Sequence, residues 1–168
     1  ARLGILVKGG VHLEGAKDLR FLALDKTGTL TAGRPSVTDV VTMEGAGRDE
    51  ILQLAASLEA TSTHPLAQAV VRAWSGPLLP VGSVTNHPGR GLEGVVGGRP
   101  TSIGNQRYAE DAKVWGPEVE RELAQLQADG KSTMVVWSGS TVLGVLGVAD
   151  TVRPTSIDAV RELHQLGI

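Results

Sequence analysis

The sequence predicts an α+β chain, in which an antiparallel sheet packs against helices and incomplete α/β pieces flank it at both ends. Three observations carry this. Short strand-like runs joined by glycine turns occupy the middle of the chain, as in β-hairpins. Several segments repeat apolar residues at helical spacing. Near the start, an almost unbroken apolar run stops at a single aspartate, Asp25.

That first run, Leu19 to Leu24, has the pattern of a strand buried on both faces of a parallel sheet, which puts Asp25 at its carboxyl end. Thr, Gly and Pro between Thr27 and Pro35 mark a loop, and Val37 to Met43 alternates as a second strand. Asp49 to Leu58 forms a helix through Ile51, Leu52, Leu54, Ala55 and Leu58. A second helix opens at Thr63-His64-Pro65, buries Leu66, Ala69, Val70, Ala73 and Trp74, and ends at Gly76-Pro77. Val81 to Thr85, Gly91 to Val96 and Arg99 to Ile103 are short strands, the last two joined by the hairpin signal Gly97-Gly98. Pro117 to Ala128 is a helix with proline in its first turn and Gly130 beyond its end. Thr133 to Trp137 and Thr141 to Val148 make a further hairpin, and Thr155 to Leu166 is an amphipathic helix after Pro154.

The 168 residues are enough to bury a core without disulfides, and there is no cysteine. Sixteen Lys and Arg against eighteen Asp and Glu give a formal charge of -2. No basic block offers a footprint for nucleic acid or lipid. No apolar stretch approaches the roughly 20 residues of a spanning helix. The start at Ala1 suggests a piece of a longer protein.

The strongest motif is Asp25-Lys26-Thr27-Gly28-Thr29-Leu30-Thr31. A carboxylate at a strand end can attack the γ-phosphate of ATP when Mg2+ offsets the charge repulsion and donors hold the phosphoryl oxygens. Gly28 allows close backbone approach, and the Thr27 and Thr29 hydroxyls are donors. The string resembles the phosphorylation motif of P-type ATPases, within the haloacid dehalogenase superfamily. The resemblance implies that Asp25 is phosphorylated, that Lys26, Thr27 and Thr29 assist, and that the Asp25 carboxylate and the Thr27 carbonyl help hold Mg2+. Gly4-Ile5-Leu6-Val7-Lys8-Gly9-Gly10 is similar to the family's passage from membrane helix to phosphorylation domain.

Ser62-Thr63-His64-Pro65-Leu66, with Glu59 one helix earlier, resembles the acid and His-Pro element of the heavy-metal branch. There the histidine meets adenine and the glutamate its exocyclic amine. Taken alone, such a histidine is more often a surface residue at a helix start. Thr63 to Val70 leans toward the zinc, cadmium, lead and cobalt group over the copper group. Gly89-Arg90-Gly91-Leu92-Glu93-Gly94 satisfies G-x-G-x-x-G but lacks the preceding buried strand and following helix of a Rossmann turn. In the heavy-metal family the same glycines leave room for the nucleotide, and Gly104-Asn105 resembles a further contact. Asp150 to Pro154 and Lys131-Ser132-Thr133 are similar to family landmarks, although each also reads as ordinary local structure.

The resemblance implies a heavy-metal-transporting P-type ATPase: residues 1–33 from the phosphorylation domain, 34–149 the nucleotide-binding domain and 150–168 the start of the second, truncated part of the phosphorylation domain. It further implies use of ATP and Mg2+, the cytoplasmic portion of an integral membrane protein, and no nucleic-acid partner. The partners implied are the rest of the phosphorylation domain, an actuator domain and transmembrane helices of the same chain, with the transported metal bound elsewhere. Two alternatives stay open. A phosphatase of the haloacid dehalogenase superfamily would carry a second aspartate where Thr27 stands; a pure nucleotide-binding module would bind ATP without turnover.

Overall fold

The computed structural model describes Leu6 and residues 8–168. The expected Gly4 to Gly10 passage therefore lies partly outside the described residues. Two compact units form: Arg34–Thr151, and the N-terminal residues to Gly33 together with Val152–Ile168.

The larger unit is built on a six-stranded sheet in the order β1-β6-β5-β4-β3-β2. Its strands are β1 (Thr31–Thr42), β2 (Val81–His87), β3 (Gly91–Val96), β4 (Arg99–Gly104), β5 (Ser132–Ser138) and β6 (Thr141–Val152). Neighbours from β2 through β6 run antiparallel. Gly97 and Gly98 both have positive φ, 57° and 84°, the geometry that a two-residue hairpin turn between β3 and β4 requires.

Helices cover both faces. On one, α2 (Arg48–Glu59) and α3 (Pro65–Ala73) bury Ile51, Leu58 and Val70 against Ile103, Val136 and Leu146. On the other, α4 (Gln106–Asp111) and α5 (Pro117–Ala128) bury Tyr108, Leu123 and Leu126 against Val135, Trp137 and Val145. Both faces of β5 and β6 are therefore dry, which explains their unbroken apolar runs in place of alternation. A register shift between Val136 and Trp137 lets Leu143 and Leu146 share one face despite odd spacing. β2 is almost wholly exposed, and an irregularity between Gly82 and Thr85 breaks the edge that it presents.

The smaller unit holds α1 (Gly10–Gly15), the turn over Lys26–Leu30 and α6 (Pro154–Gln165). The expected strand over Leu19–Leu24 is not formed. No residue from Leu19 to Asp25 is in a ladder, and Phe21 is 91% exposed. A strand of this pattern is stabilised by neighbours on both sides and helices on both faces, and no described residue covers it in that way. α1 and α4, of six residues each, were not anticipated: each is too short to show a helical period.

Candidate functional site

A cavity of about 680 Å³ opens in the larger unit. It lies where the α2–α3 junction, the β2–β3 turn and the β4–α4 junction meet. Glu59, His64, Gly89, Gly91, Gly104 and Asn105 all line it, so residues up to 46 positions apart share one wall.

Glu59 is the last residue of α2 and only 4% exposed. Burial pushes its carboxyl up to about 7, against a smaller opposing effect of a hydrogen bond with Ser62. A carboxylate kept out of water in a cavity is a strong acceptor in search of a donor. His64 is the N-cap of α3, and its Nδ1 accepts from the Leu66 N–H at 3.3 Å. That bond places the proton of the neutral ring on Nε2, while Pro65 at the first helical position costs no backbone bond. His64 is exposed and Glu59 is not, so one junction offers both a buried acceptor and an accessible ring.

The glycine wall has its own steric logic. Gly91 and Gly104 face each other across β3 and β4. A Cβ on Gly91 would come within 2.1 Å of the Ile103 carbonyl oxygen, and one on Gly104 within 2.7 Å of the Arg90 oxygen. These two glycines are demanded by the chain's own packing. Gly89 differs: it has φ +70° with nothing near its missing Cβ, so it opens onto free space. Asn105 ties the wall together, its Nδ2 donating to the Gly89 carbonyl at 2.8 Å while its Oδ1 caps α4 by accepting from Tyr108 N–H at 3.1 Å.

Sequence reasoning missed the aromatic and charged groups beside these residues. The Tyr108 hydroxyl donates to Glu93 at 2.8 Å, and the Tyr108 ring stacks on His87 at 4.7 Å. The hydrogen bond from Tyr108, chiefly, and the imidazole of His87 close by hold the Glu93 carboxyl below its ordinary range. Burial first, and then Glu93, push the Tyr108 hydroxyl up to about 12. His87 Nε2 lies 3.2 Å from Glu93 Oε1 but off the hydrogen-bond axis, so it is buried without an aligned partner. Arg90 also lines the cavity and pairs with Asp111. No periodicity or spacing marks these positions.

Asp25, Lys26, Thr27 and Thr29 belong to the smaller unit, and all four are exposed. Thr31, buried at 2%, braces their turn: its Oγ1 donates to the Lys26 carbonyl at 3.0 Å and accepts from the Gly28 N–H at 3.1 Å. Arg153 closes the back, with Nε donating to the Thr31 carbonyl at 2.9 Å and Nη2 to those of Gly28 and Ala32. Both bracing residues lie in stretches marked by the sequence, but their roles needed the tertiary contacts. Lys131 lies away from the cavity wall, its Nζ 2.8 Å from Asp39, and that pairing raises the lysine and lowers the aspartate.

A profile of the haloacid dehalogenase-like hydrolases matches residues 19–168, and the chain belongs to that family. Within it, the homologues are heavy-metal P-type ATPases. The chain is 39% identical to the cadmium-transporting ATPase of Staphylococcus aureus and 40% identical to copper-transporting ATPase 2 of Rhizobium meliloti (strain 1021). It is covered in full and spans 24% and 21% of those proteins, about a quarter of their length. It superposes on the crystal structure of a zinc-transporting PIB-type ATPase with a TM-score of 0.87 at 34% identity, over 99% of this chain and 27% of that one. Cadmium- and copper-transporting relatives match at nearly equal identity, so identity does not separate the zinc–cadmium group from the copper group. Among the described residues, no helix is long and apolar enough to cross a membrane.

Proposed function

We propose that this chain is the ATP-binding and phosphate-accepting cytoplasmic region of a heavy-metal-transporting P-type ATPase. The observation that carries the reading is the convergence of Glu59, His64, Gly89, Gly91, Gly104 and Asn105 on one cavity, in a chain homologous to such pumps over its full length. The volume suits a nucleotide. In this reading residues 34–149 bind the nucleotide, and residues 1–33 and 150–168 belong to the phosphorylation domain.

The buried Glu59 carboxylate accepts from the exocyclic amine of adenine, and His64 meets the ring. A guanine would set its carbonyl against that carboxylate, leaving buried polar groups unpaired. Domain closure then delivers the γ-phosphate to Asp25. A carboxylate oxygen of Asp25 bonds to phosphorus as the bridging oxygen leaves with ADP, and the acyl phosphate drives metal movement in the whole pump.

Asp25 and the Thr27 carbonyl fit part of an Mg2+ site, both being hard oxygen donors on one exposed turn. No group of three acidic, His or Cys side chains is placed to hold a metal ion among the described residues. Phosphate oxygens and water would complete the coordination of the ion. Bound there, Mg2+ supplies charge neutralisation.

Isothermal calorimetry with ATP tests the reading. Residues 1–168 should bind it, and His64→Ala should weaken binding about tenfold, the worth of one lost hydrogen bond and ring contact. A variant that binds as well as the parent removes adenine from this cavity. Binding without turnover favours the pump domain over a phosphatase.

A further inference from the structure

We propose that Arg90 is the residue of this cavity that meets the nucleotide's phosphates, and that Asp111 holds it in reserve until nucleotide arrives. The inference rests on the ATP reading above.

Among the residues lining the cavity, Glu59 and Arg90 are the only ones of types fully charged in water at neutral pH, and Arg90 is the sole Lys or Arg. They come from different walls, Glu59 from the helix side and Arg90 from the β2–β3 turn. A ligand with a hydrogen-bond-donating amine edge at one end and an anion at the other matches that division. The backbone of Arg90 is fixed at both ends: its N–H donates to the His87 carbonyl at 2.9 Å, and its carbonyl accepts from Asn105 N–H at 2.8 Å. The side chain thus starts from a rigid point at the cavity wall, beside Gly89, whose missing Cβ leaves open space.

The guanidinium is about half exposed and pairs with the similarly exposed carboxylate of Asp111, the last residue of α4. An exposed pair of this kind is weak and readily exchanged. The arginine fork pairs with carboxylate and phosphate alike, but a polyphosphate offers more oxygens and more charge than one surface carboxylate. Asp111 therefore competes with the phosphates for Arg90. Removing the cation should weaken binding, and removing its competitor should strengthen it.

The test compares ATP and adenosine binding to residues 1–168 by calorimetry or NMR titration, at low and moderate salt, for the parent, Arg90→Gln and Asp111→Asn. Arg90→Gln should lose about tenfold in ATP affinity with adenosine affinity unchanged. Asp111→Asn should gain about threefold for ATP alone, the gain shrinking with salt. Both positions are at the surface, so a folding defect would show as loss for adenosine as well. Equal losses for the two ligands, or no loss for ATP in Arg90→Gln, would overturn the assignment to phosphate. No gain in Asp111→Asn would overturn the competition. A parent that binds adenosine but gains nothing from the phosphates leaves the adenine site standing and refutes Arg90 alone. A parent that binds neither ligand defeats the ATP reading, and Arg90's role with it.

Discussion

Replacing Glu59 by glutamine should make the fold more stable at alkaline pH and leave it little changed at acid pH. The Glu59 carboxyl is raised from an ordinary 4.5 to about 7 by burial. Because the folded value lies above the unfolded one, the folded chain holds the proton longer. The stability tied to that proton is complete below about pH 4.5 and is lost as pH rises through about 7. At 1.36 kcal/mol per pKa unit the full effect is about 3.4 kcal/mol, of which about 2.5 kcal/mol falls between pH 5 and pH 8. Water entering the cavity screens the carboxylate, so the measured figure should lie between about 1 and 2.5 kcal/mol. Glutamine keeps the shape and cannot ionise. Urea unfolding of both proteins at pH 5, 6, 7 and 8 reads the difference directly, since other titrating groups cancel. The stability advantage of Glu59→Gln should grow with pH across that range. An advantage constant to within about 0.3 kcal/mol would refute the claim that Glu59 carries a burial-raised carboxyl. On the proposed role of Glu59 as acceptor for adenine, which needs the ionised form, ATP binding to the parent should tighten from pH 6 to pH 8.

Three further outcomes are expected. If Glu59 reads the base edge as proposed, competition calorimetry should show ATP preferred over GTP by at least about tenfold, with little dependence on Mg2+; equal affinities would remove Glu59 from that role. Residues 1–168 should bind γ-labelled ATP yet form no acid-stable, hydroxylamine-sensitive label on Asp25, since the proposed phosphoryl site has no group of three acidic, His or Cys side chains placed to hold a metal ion among the described residues. Label at Asp25 would show that this part suffices, and in the whole pump Asp25→Asn should abolish the label while ATP still binds. Gly91→Ala should cost about 2 kcal/mol or more in urea unfolding, because its Cβ would lie 2.1 Å from the Ile103 carbonyl oxygen; an unchanged midpoint would show that β3 and β4 can part there freely.

Signals confined to a few neighbouring residues were legible in the sequence. Proline at the first turn and Gly130 beyond the end bound α5 at Pro117–Ala128 as the sequence predicts, because capping is settled within one turn. The Gly97-Gly98 turn and the break between α2 and α3 follow for the same reason. The motif around Asp25 and the Glu59 and His64 pair likewise sufficed to indicate the family, because that chemistry is written in residue types and short spacings.

Tertiary structure decided everything that depends on residues meeting from afar. The run Leu19–Leu24 has the composition of a buried strand, yet it is exposed, because burial is conferred by neighbours and no composition supplies them. The same dependence raises the carboxyl of Glu59 and fixes Gly91 against Ile103. It also sets Arg90 beside Asp111 and passes Arg153 behind the Asp25 turn, 125 residues from Gly28. Sequence named the chemical groups; the fold determined which are dry, which are paired and which share a cavity, since desolvation and electrostatic pairing act through space and not along the chain.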